Sequence, residues 1–256
     1  MKLYEEFLEK HSGHEFAPRA ARRAHDLLVR TKQDDRAEAF RKKYESWITS
    51  VKPGINSPFL DPKLDVQSFV DRFEGESREI FVHRAKILAL MGLKEGMRVA
   101  DVGAGTGLFT WPISRKVGKE GGVFAVEISE GMLEHLTKEK ERRSADNVHL
   151  VACTERSTML PPASVDLVFV CDTYHHFEYP AETLASIHAA LKPGGALVIV
   201  DFERIPGKSR EWTLGHVRAG KEEVRKEIEA AGFRFVREEK TPLEENYTVR
   251  FEKVAG

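Results

Sequence analysis

The sequence predicts an α/β fold: a three-layer sandwich in which a seven-stranded, mostly parallel sheet is covered on both faces by helices, with a helical cap at the N-terminus. Three observations carry this. After Gly96, short Val-rich runs alternate with stretches of helical periodicity, and continuous apolar strands alternating with helices build a parallel sheet buried on both sides. At the end of the chain, Phe233–Glu239 and Tyr247–Val254 are strand-like runs joined by TPLEEN with no helix between them, so the two must run antiparallel. Before Gly96 the chain is dense in charge, and its apolar residues recur at helical spacing.

Taken in order, residues 1–50 set Leu3, Phe7 and Leu8, then Ala24, Leu27 and Leu28, then Phe40, Tyr44, Trp47 and Ile48 at intervals that predict two or three amphipathic helices. The basic run Arg41, Lys42, Lys43 reads as the solvated face of one of them. KPGINSPFLDP, residues 52–62, holds three prolines and a glycine, which block both helix and central strand, and is a linker. Helical spacing returns from Val66 to Met91 with a break near Gly75, so the expected division is a cap over 1–75 and a main domain over 76–256. Within that domain the predicted strands are 97–102, 122–127, 147–152, 165–171 and 196–201. The predicted helices are 108–117, 131–143, 181–191 and 221–231, and the two tail strands follow.

Composition removes several function classes. Across 256 residues, 40 Lys plus Arg face 41 Asp plus Glu, which leaves no basic excess for a nucleic-acid backbone. No run approaches the roughly 18 apolar residues of a membrane span, and MKLYEEFLEKHSGHEF lacks the cationic-then-apolar order of a secretory signal. A cytoplasmic protein with no membrane partner is expected. Cys153 and Cys171 form no CxxC pair and read as two free thiols in a reducing compartment.

The strongest local signal is Val99-Ala100-Asp101-Val102-Gly103-Ala104-Gly105-Thr106-Gly107, an apolar strand running through a glycine-rich turn into a helix. Glycine lets a backbone take positive φ and approach a ligand with no Cβ in the way. Ligands of open α/β sheets bind beyond the carboxyl ends of the strands, where this turn lies. A dinucleotide fingerprint would put its third glycine at 108, where Leu stands, and the Gly-Lys-Ser/Thr ending of a phosphate loop is absent. The turn holds no Lys or Arg and has Asp101 at its entrance, so it repels an anion and favours a cationic ligand. Glu127 ends the second predicted strand, 20 residues after Gly107, where a carboxylate accepts both hydroxyls of a ribose. A nucleoside carrying a cationic group in place of a pyrophosphate describes S-adenosylmethionine.

Over residues 78–254 the chain resembles the class I S-adenosylmethionine-dependent methyltransferases, small-molecule enzymes of the quinone-biosynthesis type above all. The resemblance rests on DVGAGTG (101–107), AVEIS with Glu127, LPPASVDLVFVCD (160–172), and LKPGG (191–195) followed by ALVIVDF. It implies a Rossmann-like sheet in the order 3-2-1-4-5-7-6 with strand 7 antiparallel, in agreement with the tail read above. It gives Asp101 and the backbone of Gly103, Ala104, Gly105 and Gly107 to the methionine end of the cofactor, Glu127 to the ribose and Ile128 to the adenine face. The adenine amino group falls to Thr154 or Glu155, because the usual Asp after strand 3 is replaced by Ala152-Cys153-Thr154-Glu155.

The fourth strand ends in Cys171-Asp172-Thr173-Tyr174-His175-His176-Phe177, which by the resemblance lies beside the methyl group to be transferred. There an acceptor must be aligned and deprotonated, and imidazole is suited to that task near neutral pH. His175 and His176 are the candidate base or orienting groups. Asp172 is beside them, as a catalytic and cofactor-side residue. Asp172, His175, His176 and Asp201 are a set on which a divalent ion would converge, but their spacing matches no ligand signature and no metal is assigned. Glu203, Arg204, His216 and Arg218 follow strand 5 in a predicted loop over the substrate. The segment after strand 4 lacks the Asn/Asp-Pro-Pro-Tyr of base and glutamine amino methylation, and two strand-bound cysteines do not suit arsenic methylation. Methyl transfer to O, S, N or C of a small molecule is expected. The alternatives are a protein or RNA methyltransferase docking through the N-terminal helices, and a non-catalytic cofactor-binding regulator.

Overall fold

The computed structural model describes residues 2–11, 17–76 and 78–254. The N-terminal part holds α1 (Lys2–Lys10), α2 (Ala17–Arg30), α3 (Asp34–Lys43), α4 (Glu45–Ile48), α5 (Val66–Phe73), α6 (Glu79–Val82) and α7 (Arg84–Leu90). There follow β1 (Arg98–Val102), α8 (Thr110–Val117), β2 (Gly122–Glu127), α9 (Glu130–Arg143), β3 (Val148–Ala152) and β4 (Val165–Cys171). After a single 3-10 turn, Tyr174–His176, come α10 (Pro180–Ala190), β5 (Leu191–Phe202), α11 (Glu211–His216), α12 (Lys221–Ala230), β6 (Phe233–Glu238) and β7 (Asn246–Lys253).

The strands form one seven-stranded sheet in the order β3-β2-β1-β4-β5-β7-β6. β1 to β5 run parallel, and β7 pairs antiparallel with both β5 and β6. Sequence alone dictates the central strands: Val165, Leu167, Val168, Phe169 and Val170 of β4 are all fully buried, and each such side chain contributes about 1.5–3 kcal/mol when removed from water. One core cluster joins Val102, Val170, Leu184, Ile187, Val224 and Phe251 on one face of the sheet. A second gathers Ile87, Met91, Ile113, Leu136, Phe169 and Val198 on the other. A third lies within α1–α4, around Leu8, Ala21, Leu28 and Phe40. No helix among the described residues is long and apolar enough to cross a membrane.

Two expectations are adjusted. The helix expected over 181–191 stops at Ala190 and β5 begins at Leu191, paired with Val165 ahead of a register shift; Pro193 cannot continue a helix, and extended pairing takes over early. The loop after β5 contains a short helix, α11. Within the span expected as a cap, 1–75, α1–α4 enclose their own core and pack on α10, and among the described residues those that face the central cavity begin at Ile55.

The glycine turn is fixed by crowding. Gly103 has φ +75°, and a Cβ there would stand 2.3 Å from Thr173 Cγ2, a side chain held in place by its hydroxyl donating to the Cys171 carbonyl at 2.9 Å. Gly103→Ala is expected to destabilise the fold by about 2–5 kcal/mol, overpacking added to left-handed strain. Gly92→Ala, at φ +68° with nothing within 4 Å of its Cβ position, should cost only about 1 kcal/mol. Denaturant titration of the pair separates the two contributions, and equal losses would reject the close approach.

Candidate active site

A cavity of about 750 Å³ opens beyond the carboxyl ends of β1, β2, β4 and β5. Its floor is the glycine turn and its roof is the segment Ile55–Phe73, chiefly the rings of Phe59, Phe69 and Phe73. The linker is tied down by hydrogen bonds. Asn56 Nδ2 donates to the His176 carbonyl at 3.1 Å. Lys52 Nζ donates to the Gly215 carbonyl at 3.0 Å and to the carbonyl of His216.

At the floor, Asp101, the last residue but one of β1, is buried and accepts a hydrogen bond from Thr110 Oγ1 at 2.6 Å. Burial raises its carboxyl to about 6, against the pull of that hydroxyl. Glu127 ends β2, also buried and pushed upward by burial. Its Oε2 accepts the Gly105 N–H at 2.8 Å, and its Oε1 accepts those of Ile128 at 2.8 Å and Ser129 at 2.9 Å. Three backbone donors thus lock one carboxylate against the turn. A Cβ at Gly105 would intrude into the space facing Phe73, 3.9 Å away.

Asp101, Gly103, Ala104, Gly105, Glu127, Ile128, Thr154, Glu155, Asp172, His175 and His176 all line the cavity. Gly107 is the exception. It stands behind the wall at φ +89°, where a Cβ would meet the Trp111 indole nitrogen at 2.4 Å, so its need for glycine comes from packing. The segment after β3 folds as a tight turn, with Thr154 N–H donating to the Ser157 carbonyl at 3.0 Å and Thr183 Oγ1 donating to the Glu155 carbonyl at 3.2 Å.

Asp172 has a left-handed backbone at φ +47°, which short polar residues tolerate best. Its carboxylate pairs with Arg78 and accepts Asn246 Nδ2 at 2.5 Å. Burial lifts it to about 6, with Arg78 pulling the other way. With both oxygens engaged, Asp172 is an anchor for Arg78 more than a free acid or base. Arg78, just ahead of α6, and Asn246, at the start of β7, carry no signal in the sequence.

The far end is a histidine cluster. His175 Nδ1 is 2.7 Å from Asp201 Oδ1, and the His175 N–H donates to Asp201 Oδ2 at 3.0 Å. Both residues are buried, and the Phe202 N–H also donates to Asp201 Oδ1 at 2.8 Å. His176 Nε2 lies 3.4 Å from His216 Nε2, and His176 Nδ1 is buried with no partner. Burial, with His175 and His216 close by, depresses His176 to about 2. Burial and His175 depress His216 to about 4. His216 therefore joins the site, at the end of α11. Glu203, Arg204 and Arg218 lie off the cavity wall, in ion pairs or hydrogen bonds with Lys221, the carbonyls of Leu214 and Val217, and Glu227.

Two buried carboxylates at a turn without basic residues, an apolar side chain at Ile128 and a space that a Cβ at 105 would enter suit S-adenosylmethionine. Comparison with known proteins agrees. A methyltransferase domain model matches residues 100–199. The ubiquinone/menaquinone biosynthesis C-methyltransferase UbiE of Vibrio vulnificus is 32% identical over 115 residues, 44% of each chain. That of Azotobacter vinelandii is 29% identical over 119 residues, 46% of this chain and 47% of the relative. The chain thus covers less than half the length of these curated relatives. A solved S-adenosylmethionine-dependent methyltransferase from Aquifex aeolicus superposes with a TM-score of 0.67 at 28% identity, over 75% of this chain and 100% of that one. The strand order, the carboxylates at the glycine turn and these likenesses agree on an S-adenosylmethionine-dependent methyltransferase domain, which the family model places over residues 100–199.

Proposed function

We propose that the protein is a cytoplasmic enzyme that methylates a small-molecule acceptor held between the glycine turn and the histidine cluster. The observation that carries this reading is the polarity of one cavity: buried carboxylates at one end, a histidine cluster at the other in which burial disfavours charge on His176 and His216, and the Phe59, Phe69 and Phe73 rings above. S-adenosylmethionine, when bound, supplies an electrophilic methyl group on a cationic sulfur. Asp101 and the turn amides would take its amino-acid end together with Arg78, which Asp172 and Asn246 hold in place. Glu127 would take the ribose, Ile128 the adenine face, and the Thr154–Glu155 turn the adenine edge. His175, backed by Asp201, would take the acceptor's proton, and His176 beside it would align the acceptor. The two UbiE relatives, named as C-methyltransferases, favour an activated carbon among the possible acceptor atoms. The roof of segment 55–73 favours a small molecule over a protein or RNA, since it closes the cavity with aromatic side chains.

Calorimetry of the purified protein should give one S-adenosylmethionine per chain with micromolar affinity. No binding would reject methyl transfer to any acceptor. Affinity should fall as the pH drops below about 6, because Asp101, raised by burial, gains a proton there and loses its charge opposite the cofactor's amino group. Affinity that is flat from pH 7.5 to 5 would remove Asp101 from that role.

A further inference from the structure

We propose that His175, His176 and His216 form a binding site for one divalent transition-metal ion at the acceptor end of the cavity. In this site Asp201 orients His175 from behind. The proposal draws its chemistry from the methyl-transfer reading but stands on its own geometry. The three histidines come from two separate stretches, the turn after β4 and the end of α11, yet one ring nitrogen of each lies within 4.8 Å of those of the other two.

The spacing of His176 and His216 fits an ion better than it fits a direct contact. His176 Nε2 and His216 Nε2 are 3.4 Å apart. An N–H···N hydrogen bond between them would draw them to about 3 Å. Two imidazole nitrogens bound at about 2.0–2.1 Å to a tetrahedral ion stand about 3.3–3.4 Å from each other. The rings also diverge instead of stacking, with interplanar angles of 48° for His175 and His176, 73° for His175 and His216, and 60° for His176 and His216.

The surroundings are those of a supported ligand set. His175 commits Nδ1 to Asp201 at 2.7 Å, leaving Nε2 for the ion, the carboxylate–histidine–metal arrangement that fixes tautomer and ring orientation. Trp212 stacks on His216 at 4.6 Å and 17°, and Phe59 meets His176 edge-on at 5.2 Å. Lys52 turns its ammonium to the carbonyls of Gly215 and His216 and so anchors the end of α11. Asn56 anchors the His176 backbone in the same way.

Three protein ligands leave a coordination position open toward the cavity, as in catalytic rather than structural sites. The ligand class for that position is an acceptor with an acidic oxygen or sulfur. In the metal-loaded site the ion takes over from His175 the task of activating the acceptor: binding releases the acceptor's proton to solvent and leaves an anion on the ion. The anion's electron pair, delivered from the bound atom or from a carbon conjugated to it, forms the new bond to the methyl carbon. The methyl–sulfur bond breaks with its electron pair staying on sulfur, and S-adenosylhomocysteine departs uncharged at sulfur.

The test uses full-length, tag-free protein stripped with a chelator and titrated with Co²⁺, followed by visible absorption, and with Zn²⁺ by calorimetry. One ion per chain and a d–d spectrum of four or five coordination are expected. His176→Ala and His216→Gln should each weaken binding at least about 100-fold, and Asp201→Asn about 10–100-fold. His149→Ala, on β3 away from the cavity wall, should leave it unchanged. S-adenosylhomocysteine affinity of each metal-free variant reports that the fold is intact. His216→Gln, at a half-buried position, serves if a more buried variant does not fold. Lack of saturable one-to-one binding, or binding that survives His176→Ala and His216→Gln together, would overturn the site. Loss of cofactor binding with retained Co²⁺ would sink the methyl-transfer reading alone, so the two failures are distinguishable.

Discussion

Replacing His175 with Asn is expected to lower turnover about 10²–10⁴-fold, while S-adenosylhomocysteine binds within about threefold of wild type. Asn is the informative choice because of what lies behind the ring. Asp201 is buried and receives the His175 ring at 2.7 Å along with two backbone N–H groups. Alanine would leave that carboxylate short of a donor and cost about 1–3 kcal/mol or more in stability, mixing a folding loss into the kinetic one. An Asn amide can still donate toward Asp201, but it presents no basic nitrogen to the cavity. Cofactor affinity should hold because the carboxylates proposed for the cofactor, Asp101 and Glu127, lie at the carboxyl ends of β1 and β2, whereas Asp201 lies at that of β5, separated from β1 by β4. Turnover equal to wild type would make the His175–Asp201 pair a structural element. A parallel loss of cofactor affinity would mean the pair shapes the whole cavity.

The legible parts of this molecule are those in which one residue type has one physical solution. Apolar strands at 97–102, 122–127 and 165–171 cannot avoid a doubly covered sheet, and a helix-free link before Tyr247 cannot avoid reversing the last strand. Asp101 and Glu127 stand out in the sequence because an acidic residue near the end of an apolar run is costly to bury without a purpose, and both line the cavity. Asp201, which closes ALVIVDF in the same way, carries the same signal, but nothing local says that it faces His175. The remaining site residues depend on contacts made far along the chain. Arg78 reaches Asp172 across 94 residues, Asn246 reaches it across 74, and His216 reaches His176 across 40. Spacing along the sequence holds no record of such meetings, which arise when the Ile55–Phe73 segment and α11 fold over the sheet. Gly107 shows a different limit: a glycine demanded by the Trp111 indole has the same spacing as one demanded by a ligand.

Glu127→Gln is expected to raise the dissociation constant for S-adenosylhomocysteine about 10–100-fold, since a hydrogen bond to a charged group is worth about 1.5–3 kcal/mol and each 1.4 kcal/mol is tenfold. Two causes would produce that loss, and they must be separated. The carboxylate accepts from Gly105, Ile128 and Ser129. A Gln amide turns one acceptor oxygen into a donor, so at least one of those N–H groups would face another donor and the turn would loosen even with no ribose involved. A chemical double-mutant cycle resolves the two. If Glu127 holds the ribose, removing the 2′-hydroxyl from S-adenosylhomocysteine should cost wild type about tenfold or more and cost Glu127→Gln little, because the partner is already gone. If Glu127 serves only the turn, the deoxy analogue should lose the same factor against both proteins. A lower melting temperature in Glu127→Gln fits both accounts, so the decision rests on the coupling between residue and hydroxyl.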